Sequence, residues 1–132
     1  MIAKEFEEFL LSHLDHYLIP AEDLAIFIDT HNSDHAMLLL ANNGYSRVPV
    51  ITKDKEYVGT ISIADIMSYQ AKNQLTDWEL AQTDIGKMVN TKLQTISDTS
   101  SLTDIMHLLV DYPFLPVLDK NNHFLGIITR KS

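Results

Sequence analysis

The sequence contains an internal repeat, and this repeat constrains the fold more than any other feature of the chain. At an offset of 67 residues, Ser33–Asp65 aligns with Ser100–Ser132 without a gap, and seven of the 33 pairs are identical. The identical pairs are Ser33/Ser100, Tyr45/Tyr112, Pro49/Pro116, Val50/Val117, Lys53/Lys120, Gly59/Gly126 and Ile61/Ile128. A duplication of this length indicates one structural unit that is present twice.

Each copy shows the same order of predicted elements. A short apolar strand comes first, helix-capping residues follow (Asn32-Ser33 and Thr99-Ser100), and a helix with an apolar face comes next. Two β-rich runs joined by a polar turn then predict a hairpin. The predicted strands are Leu24–Ile28, Val48–Ile51 and Tyr57–Ile61 in the first copy and Leu93–Ile96, Leu115–Leu118 and Phe124–Ile128 in the second.

Helical segments are predicted before and after the first motif, so the chain divides into four predicted parts. We predict an N-terminal helix over residues 1–16, a first motif over 17–69, a helical connector over 70–83 and a second motif over 84–132. Ser62 begins a last helix in the first copy, whereas the second copy stops at Ser132, where the matching helix would start. In the connector, Thr76 and Glu79 have the spacing of a capping box, and Trp78 is interpreted as a core or interface anchor.

The composition argues against several classes of function. A chain of 132 residues with 45% hydrophobic residues fits one globular domain with a real core. Its 18 acidic and 10 basic residues give a net charge of −8, which is unfavourable for duplex nucleic acid. No apolar run approaches the roughly 20 residues that span a bilayer, and no secretory signal is recognised, so we expect a cytoplasmic protein without a membrane segment. The absence of cysteine excludes disulfides, thiolate metal sites and cysteine nucleophiles.

The duplicated β-α-β-β-α order resembles the tandem CBS-domain family, also called the Bateman module. The resemblance rests on Tyr-x-x-x-Pro-Val at the entry to the first hairpin strand and on Gly-x-x-(Ser/Thr) at the end of the second. It implies an α/β (α+β) fold in which two CBS repeats form a pseudo-twofold pair with two clefts. It also implies adenosine-containing ligands such as AMP, ATP, S-adenosylmethionine or cyclic di-AMP, and a regulatory protein rather than an enzyme.

One of the two implied clefts is rich in cations. Thr129, Arg130 and Lys131 follow Gly126 at a strand end, where a hydroxyl, a guanidinium and an ammonium suit phosphate. The small side chain of Ala25 leaves room for a base, and Ile26 or Phe27 is expected to pack on it. The residues predicted to bind ligand in this cleft are Ala25, Ile26, Phe27, Arg47, Val48, Thr129, Arg130 and Lys131.

The second implied cleft is assigned to Ser62 and Asp65. The resemblance makes Asp65 a ribose-binding acid, and no arginine or lysine stands beside Ser62 in the sequence. In the second copy Ser132 stands at the position of this acid, although the cations Arg130 and Lys131 lie directly before it. Cations without a ribose acid favour a cyclic dinucleotide over AMP, because both of its phosphates need partners.

Within the family, the chain resembles the small stand-alone cyclic-di-AMP-binding CBS proteins of Gram-positive bacteria. The matching residues are Gly126, Thr129, Arg130 and Lys131, together with Ala21 and Ala25, whereas Asp23 stands where relatives can carry a lysine. This resemblance implies a homodimer that signals to a protein target such as a ppGpp synthetase. Two functions stay open: a nucleotide sensor, for cyclic di-AMP or for AMP, ATP or S-adenosylmethionine, and an interaction or dimerisation module with vestigial clefts. No catalytic residue, metal site or resident cofactor is predicted.

Overall fold

The computed structural model describes residues 18–44 and 46–129. The strands of this part of the chain are β1 (Leu18–Pro20), β2 (Phe27–Ile28), β3 (Val48–Ile51), β4 (Tyr57–Ile61), β5 (Ile96–Ser97), β6 (Phe114–Leu118) and β7 (Phe124–Thr129). The helices are α1 (Ser33–Asn43), α2 (Ile63–Lys72), α3 (Asp77–Ala81) and α4 (Leu102–Asp111), with 3-10 turns at Ala21–Asp23 and Ile85–Lys87. The helix predicted over residues 1–16 lies outside the described residues, as do Arg130, Lys131 and Ser132.

The chain divides into two compact units. The central unit is Ala25–Lys92, and the terminal unit combines, among the described residues, 18–24 with 93–129. This division differs from the predicted motif boundaries, because 18–24 lie with the second copy and 84–92 lie with the first. In each unit a short segment from outside the copy pairs with the last strand of its hairpin.

The central unit is built on a three-stranded sheet in the order β2-β3-β4. Strand β2 runs parallel to β3, and β3 and β4 form the predicted antiparallel hairpin. Beyond β4, Asn90 forms an isolated bridge with Thr60, in which each backbone N–H donates to the other residue's carbonyl, at 2.7 and 3.0 Å. The segment around Asn90 therefore extends the edge of this sheet.

The helices of the central unit begin at side-chain caps. The Asn32 side chain accepts a hydrogen bond from the backbone N–H of His35, and Gly44 ends α1 with a left-handed φ of 68°. Ser62 and Asp65 form a capping box at α2, and Thr76 and Glu79 form the predicted one at α3. The hydrogen bonds from Thr76 lower the pKa of Glu79.

The core of the central unit joins the first copy to the connector. Buried side chains from the sheet, the helices and the connector form one cluster: Phe27, Ala36, Leu40, Val48, Val50, Ile61, Ile66, Leu80, Ile85 and Met88. Trp78 does not belong to it, since 72% of its surface is exposed. The interpretation of Trp78 as a core residue was therefore wrong: α3 turns Leu80 inward, and a residue two positions earlier lies on the opposite side of a helix.

The terminal unit contains a four-stranded sheet in the order β1-β7-β6-β5. Strand β1, which the sequence analysis did not predict, pairs antiparallel with β7, with Pro20 opposite Gly126. The core beneath this sheet consists of Ile96, Ile105, Leu115, Val117 and Ile128. In the turn between β6 and β7, the Asp119 carboxylate accepts the backbone N–H groups of Asn121 and His123, which contribute to a lowered pKa of Asp119.

The two copies match at two different offsets. Pro49 and Pro116 occupy equivalent hairpin positions 67 residues apart. The helix caps, however, are Asn32 and Ser101, which are 69 residues apart, because the loop between helix and hairpin is two residues shorter in the second copy. The cap of the second copy's helix is therefore Ser101, one residue after the predicted pair Thr99-Ser100. Strands β2 and β5 each begin three residues later than the predicted starts at Leu24 and Leu93.

The helices of the described residues are all short. None formed by residues 18–44 and 46–129 combines the length and the apolar character needed to cross a lipid bilayer.

Candidate functional site

Arg47 is the centre of a polar network in the central unit. It lies in the loop before β3, and its Nη1 atom donates to Oδ2 of Asp65 at 2.8 Å and to Oγ1 of Thr60 at 2.9 Å. Its Nη2 atom approaches Oγ of Ser62 at 3.4 Å. One guanidinium thus joins the end of β4 to the first turn of α2, a role for which the planar fork of arginine is well suited.

Asp65 has several partners besides Arg47. Its Oδ2 atom also accepts the backbone N–H of Ser62 at 3.0 Å, which closes the capping box of α2. Its Oδ1 atom is 3.4 Å from Nδ2 of Asn90. The Arg47 and Asp65 side chains are 27% and 17% exposed, so their ion pair is only partly screened by water.

Tyr57, the first residue of β4, lies within the electrostatic influence of this network. Burial raises the pKa of its phenol to about 12, and the positive charge of Arg47 acts in the opposite direction. The phenol is therefore neutral at physiological pH.

A cavity of about 300 Å³ opens beside Asp65 in the same unit. One wall is a face of α2, with side chains three and four residues apart, and the other wall is the chain that follows α3. The lining residues are Asp65, Ser68, Tyr69, Lys72, Lys87, Met88, Val89, Asn90, Thr91 and Lys92. Three ammonium groups line this cavity, and its one carboxylate is already paired with Arg47.

The predicted ligand residues differ in how far they are accessible. Phe27 and Val48 are 4% and 1% exposed and belong to the core of the central unit, so their side chains are committed to packing. Of the two residues expected to pack on a base, Phe27 is buried, whereas Ile26 is partly exposed, as is Ala25. Thr129 ends β7 opposite Phe114. Arg130 and Lys131 lie outside the described residues.

The predicted grouping of Arg47 was wrong. From the sequence, Arg47 was expected near Ala25 and the cations of the second copy, and no cation was expected beside Ser62. The structure brings Arg47 to Ser62 and Asp65 instead, because the hairpin sets its loop alongside the end of β4. Whether Arg47 or any other predicted residue contacts ligand stays a prediction.

Four residues that line the cavity were not predicted from the sequence: Lys72, Lys87, Lys92 and Asn90. Lys72 is four residues after Ser68 and seven after Asp65, so helical spacing from Asp65 was a usable signal. The approach of residues 87–92 depends on the pairing of Asn90 with Thr60, for which the sequence carries no pattern. Within the described residues, no group of three or more histidine or carboxylate side chains is placed to hold a metal ion.

Comparison with known proteins identifies the family. The family model described as "CBS domain" matches residues 21–72 and again residues 84–132. The chain belongs to the CBS-domain family. Its two CBS domains in tandem, with mixed sheets and helices in each unit, confirm the predicted fold class and the architecture of a regulatory module.

Several crystal structures resemble this tandem CBS protein over nearly its whole length. CbpB from Streptococcus agalactiae is 74% identical, with a TM-score of 0.92 over 98% of this chain and 82% of that one. A structure of CbpB in complex with c-di-AMP is 75% identical, with a TM-score of 0.90 over 98% and 87% of the two chains. CbpB of Listeria monocytogenes, also in complex with c-di-AMP, is 34% identical, with a TM-score of 0.80 over 90% of both. These matches confirm the resemblance to small stand-alone CBS proteins of Gram-positive bacteria.

A curated relative extends the comparison to plants. The chloroplastic CBS domain-containing protein CBSX1 of Arabidopsis thaliana is 26% identical over 86% of this chain. The chain spans 59% of the length of that relative.

Proposed function

We propose that this protein is a regulatory sensor that binds cyclic di-AMP. The observation that carries the proposal is the pair of c-di-AMP complexes formed by proteins 75% and 34% identical to this chain, each similar to it over at least 90% of its length. Proteins this similar share the backbone that shapes a ligand site. The same ligand class is supported by three residues suited to bind phosphate: Thr129, Arg130 and Lys131.

The proposed c-di-AMP contacts are those that the sequence predicts and the packing leaves available. Ala25 and Ile26 are partly exposed, so both are accessible to a base. Arg130 and Lys131 are the proposed phosphate partners, and Thr129 is the proposed hydroxyl donor. Arg47 is engaged with Asp65, so we propose for it a supporting role in the loop before β3.

A thermal-shift screen tests the ligand class. Cyclic di-AMP, AMP, ATP and S-adenosylmethionine are each added at concentrations from micromolar to millimolar. A ligand that binds only the folded chain stabilises it by RT ln(1 + [L]/Kd), so a tighter ligand raises Tm at a lower concentration. We expect c-di-AMP to give the largest increase at the lowest concentration. If AMP, ATP or S-adenosylmethionine gives it instead, the ligand proposed here is wrong.

If none of these ligands raises Tm, the protein is better described as an interaction module with vestigial clefts. The exposed Trp78 on α3 and the exposed Leu38 on α1 would then be the first residues to substitute in a search for its contacts.

We also propose that the sensor is a cytoplasmic homodimer without catalytic activity, and that it signals to a protein target such as a ppGpp synthetase. Sedimentation of the purified chain with and without c-di-AMP tests the dimer. A monomer in both states, at concentrations well above micromolar, would contradict this part of the proposal.

A further inference from the structure

The side chain of Trp78 is exposed on a helix whose other face is part of the core. It lies in α3 and is 72% exposed, although Leu80 of the same helix is buried. A second large apolar side chain, Leu38, is exposed on α1, the helix against which α3 packs. Tryptophan has a large apolar surface and is enriched at contacts between proteins. Water therefore covers most of an indole that a partner would stabilise by covering it.

The exposure of Trp78 does not come from a loosely held helix. The capping box at the start of α3 holds its first turn. Nε2 of Gln70, on α2, donates to Oδ1 of Asp77 at 2.8 Å. Oγ of Ser33, on α1, donates to the carbonyl oxygen of Leu80. Because two neighbouring helices fix α3, the indole is presented from a preorganised backbone, which lowers the entropic cost of binding.

The charge around Trp78 is negative. Asp77 and Glu79 flank it, Asp84 follows α3, and all three carboxylates are exposed. The stretch 73–86 contains no lysine or arginine. The hydrogen bonds of the capping box lower the pKa of Glu79, so its carboxylate is ionised at neutral pH. In the described part of the chain, none of the three carboxylates forms an ion pair. An indole with carboxylates around it suits a partner that carries both apolar and cationic groups.

The same charge discriminates between kinds of partner. Three carboxylates disfavour contact with an anionic lipid surface or with a nucleic acid. A second copy of this chain, docked through the same surface about a twofold axis, would bring like charges together. Lysine and arginine side chains, in contrast, are attracted both by carboxylates and by the face of an indole. The surface therefore favours a basic segment of a different protein.

We propose that Trp78, together with Asp77, Glu79 and Asp84, forms a docking surface for a basic amphipathic segment of another protein. The indole supplies the apolar contact and a face for a cation, and the carboxylates select lysine and arginine over acidic side chains. The proposal rests on the proposed function in one respect, which is that the module signals through contact with a protein. It does not require cyclic di-AMP to be the ligand.

Fluorescence tests the surface directly, because Trp78 is the single tryptophan of the chain. The probe is a synthetic amphipathic peptide of lysine and leucine, and its control peptide has glutamate in place of each lysine. The lysine peptide should shift the emission of Trp78 to shorter wavelength and protect it from quenching by acrylamide, because the indole leaves water. The glutamate peptide should do neither. Unchanged emission with the lysine peptide, or an equal response to the glutamate peptide, would overturn the proposal.

Substitution of Trp78 tests the apolar contact, with the affinity for the lysine peptide measured by calorimetry. Trp78→Ala should weaken binding at least about tenfold, as expected for a tryptophan at the centre of an interface, and Trp78→Phe should weaken it less. The matched control is Met106→Ala, which removes an exposed apolar side chain of the terminal unit and should leave the affinity unchanged. Tm of Trp78→Ala should stay close to that of the unsubstituted protein. Equal affinity of Trp78→Ala and the unsubstituted protein, or equal weakening by Met106→Ala, would overturn the proposal.

Neutral variants of the carboxylates test the charge. Asp77→Asn, Glu79→Gln and Asp84→Asn each keep a side-chain oxygen, and glutamine still fits a capping box. Each should weaken the lysine peptide about two- to fivefold, as expected for exposed ion pairs, and the triple variant at least about tenfold. The control is a triple variant that removes three exposed carboxylates from the terminal unit: Asp98→Asn, Asp104→Asn and Asp111→Asn. If the control weakens binding as much, the interaction is a general charge effect and the docking surface does not exist.

Two further measurements separate this proposal from its alternatives. Trp78→Ala should sediment as the unsubstituted protein does; if this substitution dissociates an oligomer, a second copy occupies the surface and the proposal is wrong. Trp78→Ala should also bind c-di-AMP as the unsubstituted protein does. Failure of the lysine peptide to bind, with c-di-AMP binding intact, would refute the docking surface alone. Absence of c-di-AMP binding, with peptide binding intact, would refute the proposed ligand alone.

Discussion

Arg47 donates a hydrogen bond to Asp65 across 2.8 Å and so ties the loop before β3 to the first turn of α2. The same Asp65 oxygen caps the helix by accepting the backbone N–H of Ser62. The ion pair and the helix cap therefore share one carboxylate oxygen, so we expect a substitution of Asp65 to affect both.

Substitution of Arg47 should destabilise the central unit. Arg47→Ala leaves Asp65 partly buried without its cation, and we expect a loss of about 1–3 kcal/mol, less than for a fully buried pair. Arg47→Lys keeps the positive charge but not the planar guanidinium, so its loss of unfolding free energy should be smaller. Urea unfolding measures both variants, and the Arg47→Ala/Asp65→Asn double-mutant cycle measures the coupling. A coupling energy near zero would show that the bond contributes nothing in solution.

Tyr57 should give the protein a distinctive alkaline titration. Burial raises its pKa to about 12, above the ordinary value of 10.0, so ionisation is easier in the unfolded chain. Its contribution to stability is complete below pH 10.0 and is lost as pH rises through about 12. Ultraviolet absorbance should show a late tyrosinate step that Tyr57→Phe removes. Arg47→Ala should move this step to higher pH, because the cation stabilises the phenolate; a shift to lower pH would contradict the geometry.

Gly59 and Gly126 should both resist substitution for the same reason. A Cβ on Gly59 would lie 2.9 Å from the carbonyl oxygen of Asn90, and one on Gly126 would collide with the carbonyl of Ile19. Gly126 also has a φ of 153°, which other residues rarely adopt.

We therefore expect each glycine-to-alanine variant to lose roughly 1–3 kcal/mol of unfolding free energy, with the larger loss at Gly126. The matched control is Gly86→Ala. The added atom there meets Asp29 at 3.0 Å, so the crowding is similar, but Gly86 does not lie where an edge segment pairs with a hairpin. Hydrogen exchange should show faster exchange at Asn90 in Gly59→Ala. Unchanged exchange there would mean that the glycine does not hold this edge.

The two hairpins were predicted correctly because the sequence signals for a hairpin are local. Alternation, β-branched residues and polar turns are read within about ten residues, and both hairpins formed where they were predicted. The capping residues Ser62 and Thr76 were likewise visible in their own first turns. A gapless alignment could not show that the loop between α4 and β6 is two residues shorter than the loop between α1 and β3, so the cap of α4 was predicted too early in the chain.

The candidate site was harder to predict because its contacts join distant segments. Asn90 reaches Thr60 across 30 residues, and Arg47 reaches Asp65 across 18. The family pattern gave Asp65 a role, but only the structure showed that Arg47 already occupies one of its oxygens. The lysines of the cavity carry no motif, since exposed lysines at helix ends are common on any soluble surface.

We propose that this chain binds cyclic di-AMP through Arg130 and Lys131, the cations that follow β7 in the sequence. The most direct measurement is calorimetric titration of c-di-AMP into the unsubstituted protein and into Arg130→Ala, with Lys120→Ala as the control because Lys120 is an exposed lysine in the turn before the same strand. We expect Arg130→Ala to weaken binding by about 1.5–3 kcal/mol, roughly tenfold or more, and Lys120→Ala to leave it unchanged. Equal affinity of Arg130→Ala and the unsubstituted protein would contradict the predicted site and direct attention to Asp65, and absence of binding by the unsubstituted protein would contradict the claim itself.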